Sequence, residues 1–386
     1  MRYITPSFQD YNWGSKDFIQ DLLSLPKTRI IAEAWYGAHP KAPATIDGVS
    51  LAELVHRDPE FWLGPRCKDF PYLMKILAAE QALSIQVHPN KKQAEQGFAR
   101  ENSQQIPLDS PQRNYRDPNH KPELLLALSK FSALCGFRDF EDMRNIILHY
   151  DLDRFFAKFS PFAKQPNPDT FLDFYHETIS RSSLPGLSEH LAKLSPRPPY
   201  EQELRWAQKL LEQYPADRSI ISPFLLNLIE LTPYQAIYLE TGIVHAYLGG
   251  AGIEIMAASD NVLRAGLTQK HMDTHELLKI LKPNPYFPKL LSFTSVPDTW
   301  QSFPLEVQDF SLWRLELHHE TAIPKIDGAK IILCLNGDAL LKRQSQSLPI
   351  KRGASIIIPH SEKGVIAIGK AELIMAAPGC TAAFLN

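Results

Sequence analysis

The feature that most constrains the fold is a change of hydrophobic period partway along the chain. From Arg138 to about Pro223, the stretches FEDMRNIILHYDLDRFFAKF, PDTFLDFYHETIS and YEQELRWAQKLLEQY repeat apolar residues at three and four positions. That spacing predicts amphipathic helices, because residues three and four apart share one helical face. In the last of these stretches Leu204, Ala207, Leu210 and Leu211 are expected on the buried side, with Glu201, Gln202, Lys209 and Gln213 in water. On either side of the block, Pro, Gly and Asn break the sequence into short segments that read as strands, those on the C-terminal side beginning beyond Pro233. SLWRLELHHE alternates apolar and polar residues, and GASIIIPH and AELIMAAPG continue the series, as strands of period two do. KIILCLNGDALLKR carries Asn336-Gly337-Asp338 between two apolar runs, which predicts a hairpin there. Helices bracketed by strand-rich sequence point to a mainly β protein of sandwich or barrel type, built from two related β units plus an α-helical domain. The expected organisation is a discontinuous β unit over 1–137 and 223–290, a helical insertion over 138–222, and a C-terminal β unit over 291–386.

Charge and cysteine usage remove several function classes. The 386 residues are enough for more than one domain with a substantial core. Basic and acidic side chains nearly cancel, at 41 against 43, so no surplus exists for holding a polyanion and no nucleic-acid partner is expected. No run of 18 apolar residues occurs, and MRYITPSFQDYNWGSKDF has no apolar core of signal-peptide length. A cytoplasmic protein without a membrane partner is the expectation. Cys67, Cys135, Cys334 and Cys380 stand far apart with no C-x-x-C pair, and are expected to be reduced, buried thiols.

Three islands hold residues with chemistry. In SIQVHPN, an extended strand would project Ser84, Gln86 and His88 to one face and Ile85 and Val87 to the other. A polar face of this kind meets either solvent or a functional cavity. In RDPNHKPELLLAL, Pro118 and Pro122 stiffen the approach to an apolar strand that a charged pair, Lys121 and Glu123, enters. A solvated strand start is the plainer reading. The third island, ETGIVHAYLGGAGIEIMAASDNVLRAGLTQKHMD, carries His245, Tyr247, Glu254 and Arg264 on strand-like pieces. Its Gly249-Gly250 and Gly252 allow tight turning or close approach of a ligand, but G-x-G-x-x-G spacing is absent, which disfavours a nucleotide site. Together the islands supply two imidazoles, a carboxamide and a carboxylate, a donor set suited to one Zn²⁺ with a position left open. With a single carboxylate the net charge would be about +1, enough to polarise a carbonyl or stabilise an oxyanion.

At these residues the chain resembles type I mannose-6-phosphate isomerases (phosphomannose isomerases). The likeness runs through YNWGS, AEAWYGAHPKAPA, PYLMKILAAEQALSIQVHPNKKQAE, YRDPNHKPELLLAL and EIMAASDNVLRAGLT. The resemblance implies a cupin-type jelly-roll β-barrel architecture and one zinc held by Gln86, His88, Glu123 and His245. It implies reversible aldose-ketose isomerisation of mannose 6-phosphate and fructose 6-phosphate through a cis-enediol(ate), which needs a base near C1 and C2 and positive charge near their oxygens. The catalytic candidates are Arg264, which falls on the family's arginine and is expected beside the enediolate or the sugar oxygens, and Glu254, which falls on a family carboxylate as a base or a clamp on sugar hydroxyls. Ser84, Lys75, Lys121 and Lys270 fall on its pocket positions, as candidates for phosphate or polyol, and Trp13 and Tyr247 are candidates for the pocket wall. The expected partner is a sugar phosphate alone, bound by a monomer. The chain differs from the usual family pattern at Val244, at Gln269 and at Thr232-Pro233-Tyr234. The rivals are a non-catalytic sugar-sensing cupin and an isomerase of another aldose or aldose phosphate. A zinc hydrolase is weaker, since no H-E-x-x-H occurs.

Overall fold

The computed structural model describes residues 1–65, 67–179, 184–294 and 296–379. Its layering follows from the strand Tyr72–Ala79, which is buried along its whole length. YLMKILAA has no water-facing side, so both faces must be covered. Met74, Ile76 and Ala78 share a core with Ile331, Leu333 and Ile374 of the C-terminal sheet. Leu77 and Ala79 point the other way, into a barrel interior with Leu125, Ala127, Phe131 and Ile237. Lys75 shares that inward side, because alternate residues face the same way.

Two antiparallel sheets enclose the interior. In the first, Tyr72–Ala79 lies between Glu33–Tyr36 and His245–Ala257, and the sheet continues through Glu123–Ala127 to Gln235–Leu239. In the second, the early part of His245–Ala257 pairs with Phe131–Phe137 and Ile85–Val87, flanked by Leu226–Leu231 and Leu263–Gly266. His245–Ala257 is therefore one 13-residue strand common to both sheets, where the sequence suggested separate pieces. It bends at a register slip between Tyr247 and Gly249. Gly250 has φ +118, and a Cβ there would lie 2.5 Å from the Lys130 carbonyl oxygen. The glycines thus serve the bend and close strand packing, and they do not form a turn. Strand structure also resumes earlier than Pro233, at Leu226.

The helical block covers the outer face of the second sheet. Phe140–His149, Pro168–Ile179 and Glu201–Gln213 are its longest helices. Asp139 caps the first by accepting the Glu141 and Asp142 N–H groups. Phe171 and Tyr175 meet Phe137 edge-on at 4.6 and 4.8 Å between ring centroids, which joins the block to the barrel. Leu204, Ala207 and Leu210 are buried as their spacing implies, while Leu211 is only half-buried. Gln213, expected in water, is half-buried because its Oε1 accepts the Ala82 N–H at 3.1 Å. With Tyr214 Oη donating to the Ala82 carbonyl at 2.7 Å, the end of this helix holds the turn leading into Ile85–Val87.

The C-terminal unit is a second β structure. Lys330–Arg343 runs through Asn336-Gly337-Asp338 as one strand with a bulge, and the hairpin lies further on, where Arg343 pairs with Gln346. Gly337 has φ +73, and a Cβ on it would sit 2.2 Å from the Lys370 carbonyl oxygen; the Asn-Gly signal marks a bulge. The strand Arg2–Tyr3 pairs with Ser355–Ile358, so the first residues hydrogen-bond into the C-terminal sheet. Cys135 and Cys334 are buried free thiols and Cys67 is free but only half-buried; Cys380 lies outside the described residues. Among the described residues no helix is long and apolar enough to cross a membrane.

Gly250→Ala should cost about 1–3 kcal/mol, the range for a side chain forced into such backbone. Chemical denaturation compared with an alanine at exposed Gly364 would test it, since a Cβ at Gly364 meets nothing within 4 Å. The expected result is a clearly larger loss at position 250 than at position 364, where only the shared φ strain applies.

Candidate functional site

The bend brings three distant segments to one point. Gln86 lies opposite His245 on one side and Arg264 on the other, so these three side chains share a face of the second sheet. His88 follows the same short strand, and Glu123 opens the strand Glu123–Ala127 beside Met256. Ligand atoms of His88, Glu123 and His245 lie within 4.8 Å of one another. Each imidazole Nε2 is 3.3 Å from a Glu123 oxygen, and the Gln86 amide nitrogen is 3.4 Å from His245 Nε2.

The proton positions decide what this cluster can hold. His88 Nδ1 is 2.7 Å from the Asn261 carbonyl oxygen, and His245 Nδ1 is 2.9 Å from that of Ile243. A carbonyl only accepts, so each Nδ1 carries a proton, and with Nδ1 committed outward Nε2 is the nitrogen each ring turns to the interior. Burial, then the Lys121 charge, lowers His88 to about 4, so this ring is neutral at pH 7. Burial opposes ionisation of Glu123, but Lys121 Nζ at 3.0 Å and the neighbouring imidazoles hold its carboxyl well below the usual carboxylate range. Lone pairs thus face lone pairs in a site about 1–2% exposed. His88 Nε2 and Glu123 Oε2 have no hydrogen-bond donor. Buried acceptors left this way are costly, and a cation of nitrogen and oxygen preference satisfies them. The residues fit Zn²⁺.

Above the cluster opens a cleft of about 350 Å³. One side is a buried ion-pair group: Lys75 Nζ donates to Glu254 at 2.7 Å and stands 3.7 Å from Glu33, and Tyr247 Oη donates to the other Glu254 oxygen at 2.8 Å. Burial works against the Lys75 charge, yet Glu254 and Glu33 keep its ammonium above the ordinary lysine range. Burial is also the main reason that the Glu33 carboxyl is pushed up. The other side is cationic. Burial and then Arg116 lower the Arg264 guanidinium from its ordinary value, and burial, Arg264, Arg116 and Lys41 lower Lys270. These groups repel one another, and an anion between them would relieve the repulsion.

A model of the type I phosphomannose isomerase catalytic domain matches residues 1–140, and one of the mannose-6-phosphate isomerase cupin domain matches residues 299–378. The mannose-6-phosphate isomerase of Salmonella typhimurium is 37% identical over 97% of this chain and 98% of its own length. The chain belongs to the type I phosphomannose isomerase family. The human mannose-6-phosphate isomerase is 30% identical, with 92% of each chain covered. A crystal structure of mannose 6-phosphate isomerase bound with zinc and yttrium superposes with a TM-score of 0.89 at 35% identity, covering 98% of this chain and 100% of that one. The cupin-type, mainly β architecture is that of the family.

Within this family frame, most residues singled out from sequence border the cleft: Trp13, Lys75, Gln86, Lys121 and Glu123, then Tyr247, Glu254, Arg264 and Lys270. His88 and His245 are buried beside it, so Gln86 and His88 of SIQVHP face the site and not bulk water. Lys121 and Glu123 are a buried pair, which overturns the solvated strand start. Ser84 does not border the cleft: regular strand begins only at Ile85, and alternation does not extend back to it. Sequence reasoning missed Glu33 and Arg116, although both sit inside quoted stretches, AEAWYGAHPKAPA and YRDPNHKPELLLAL. Neither stood out locally: Arg116 lies in the polar stretch RNYRDPNH, and Glu33 is a single charge with no polar neighbour two residues away.

Glu123→Gln keeps the shape of the cluster and removes its only carboxylate. It should weaken zinc binding by more than the roughly 10- to 100-fold that loss of an outer hydrogen-bond partner costs. Competition with a chromophoric chelator measures this, and native affinity in the variant would exclude Glu123 as a ligand.

Proposed function

We propose that the chain interconverts mannose 6-phosphate and fructose 6-phosphate, with the roles below for its own side chains. The observation that carries the reading is the adjacency, in one cleft, of a buried N/O donor cluster, a Lys75–Glu254–Tyr247 hydrogen-bonded group and a cationic side. Gln86, His88, Glu123 and His245 hold the zinc. When bound, zinc acts as a Lewis acid toward the substrate oxygens.

The remaining work belongs to the protein. Lys270 and Arg116 bind the phosphate of the substrate, and their mutual repulsion is offset when it arrives. Arg264, beside Gln86 on one flank and near Arg116 on the other, stabilises negative charge on the enediolate oxygens; its charge is permanent. Glu254 moves the proton between C1 and C2. Each of its oxygens already accepts one hydrogen bond, from Lys75 and from Tyr247, and each keeps a lone pair for the substrate. Lys75 and Tyr247 orient that carboxylate, and Trp13, stacked 5.5 Å from Tyr11, forms an apolar wall of the cleft. Lys121 balances Glu123 and binds a sugar hydroxyl. All these groups come from one chain, so the proposed site needs no residue from a second copy. The free thiols of Cys67, Cys135 and Cys334 support a reducing, cytoplasmic setting.

Purified protein should convert mannose 6-phosphate to fructose 6-phosphate, lose activity on chelation and recover it with zinc. Full turnover after exhaustive chelation would refute the metal role. Glu254→Gln should lower kcat by about 10²–10⁴-fold with zinc content unchanged, the range for loss of a general base. Exchange of the transferred hydrogen with solvent should fall in parallel; near-native kcat would assign the base elsewhere. Arg264→Ala should likewise reduce kcat far more than zinc content, and equal loss of both would make its role structural.

A further inference from the structure

Asn261 is fully buried between the donor cluster and the loop 114–121; its N–H donates to Ser259 Oγ at 3.2 Å, and its carbonyl and side-chain amide are spent across that gap. Its backbone carbonyl accepts His88 Nδ1–H at 2.7 Å. Its Oδ1 accepts the backbone N–H of Arg116 at 2.7 Å and that of Asp117 at 3.3 Å. Its Nδ2 donates to the carbonyl oxygens of Asp117 and Asn119, both at 2.8 Å. The loop closes the circuit, since the Asp117 carboxylate accepts Ser259 Oγ–H at 2.8 Å and the Asp260 N–H at 2.7 Å. A carboxamide is required here. Aspartate would set a carboxylate against two carbonyl oxygens, and an apolar residue would take the side-chain partner from four backbone groups, of which, among the described residues, only the Asn119 carbonyl has another donor, Ser259 Oγ at 3.2 Å.

We infer that Asn261 is a positioning residue that holds the His88 imidazole and the Arg116 backbone in one fixed relation, so that a single residue sets both the metal centre and the cationic side of the cleft. Its main chain fixes the ring tautomer and its side chain fixes the loop that carries Arg116 and Lys121. A cation on His88 Nε2 makes Nδ1–H a stronger donor to the Asn261 carbonyl, so occupancy of the cluster tightens the residue that also grips the loop. In one respect the inference rests on the isomerase reading, namely that the anion bound at Arg116 is substrate phosphate.

The test therefore uses binding and not turnover, on the full chain. Asn261→Ala that retains native circular dichroism should bind zinc roughly 10- to 100-fold more weakly by chelator competition, as outer partners of metal ligands do. The zinc-loaded variant should also bind inorganic phosphate more weakly by calorimetry. A folded variant with a lowered Tm but native affinity for either probe would overturn the inference. Should the variant not fold, hydrogen exchange on the native chain decides: zinc should raise protection of the Arg116 and Asp117 amides, and unchanged protection would overturn it. Native protein that meets these expectations but does not isomerise mannose 6-phosphate would refute the isomerase reading and leave the positioning role intact.

Discussion

The site depends on two histidine rings whose outer nitrogens are tied to backbone carbonyls, at Asn261 and Ile243. Those two bonds turn the inner nitrogens toward a carboxylate shielded from water. A fold that buries such an arrangement accepts an electrostatic cost which a divalent cation removes. Lys121 beside Glu123 adds to the logic: it keeps the carboxylate ionised and the adjacent imidazole neutral, the protonation states that metal binding requires.

Geometry at this point is inherited from the backbone. The strand His245–Ala257 carries one member of the donor cluster at its first residue and Glu254 close to its end, and the bend at Tyr247–Gly250 lets both ends address one interior. The surrounding layers keep that strand in place. Helices press on the second sheet from outside, and the C-terminal sheet presses on the first, so neither can flatten without opening a core.

Much of this was legible from residues alone, for reasons of periodicity. The three-and-four spacing of 138–222 marked helices because one face of each is apolar, and the alternation in SLWRLELHHE marked a strand with one wet side. Gln86 and His88 were legible because a polar side chain repeating every second residue beside Ile85 and Val87 must look into something. What escaped notice lacked local contrast. Asn336-Gly337 has the composition of a turn, but its partner strand Ile366–Ala377 runs straight past it, and only tertiary pairing turns the signal into a bulge. Ser84 was carried along by an alternation that begins one residue later. Arg116 and Glu33 look like ordinary surface charges, and only the closure of the barrel over them makes them part of the cleft. Asn261 offered no signal, since its importance lies in bonds to segments far away in sequence.

The pairing of Arg2–Tyr3 with Ser355–Ile358 has a consequence for biogenesis. As the polypeptide leaves the ribosome, Arg2–Tyr3 has no mate until Ser355–Ile358 has been made. The outer face of Tyr72–Ala79 waits equally long for its cover. Synthesis must therefore carry an uncovered apolar sheet for most of its duration, a period in which chaperones have something to hold and truncated products have reason to aggregate.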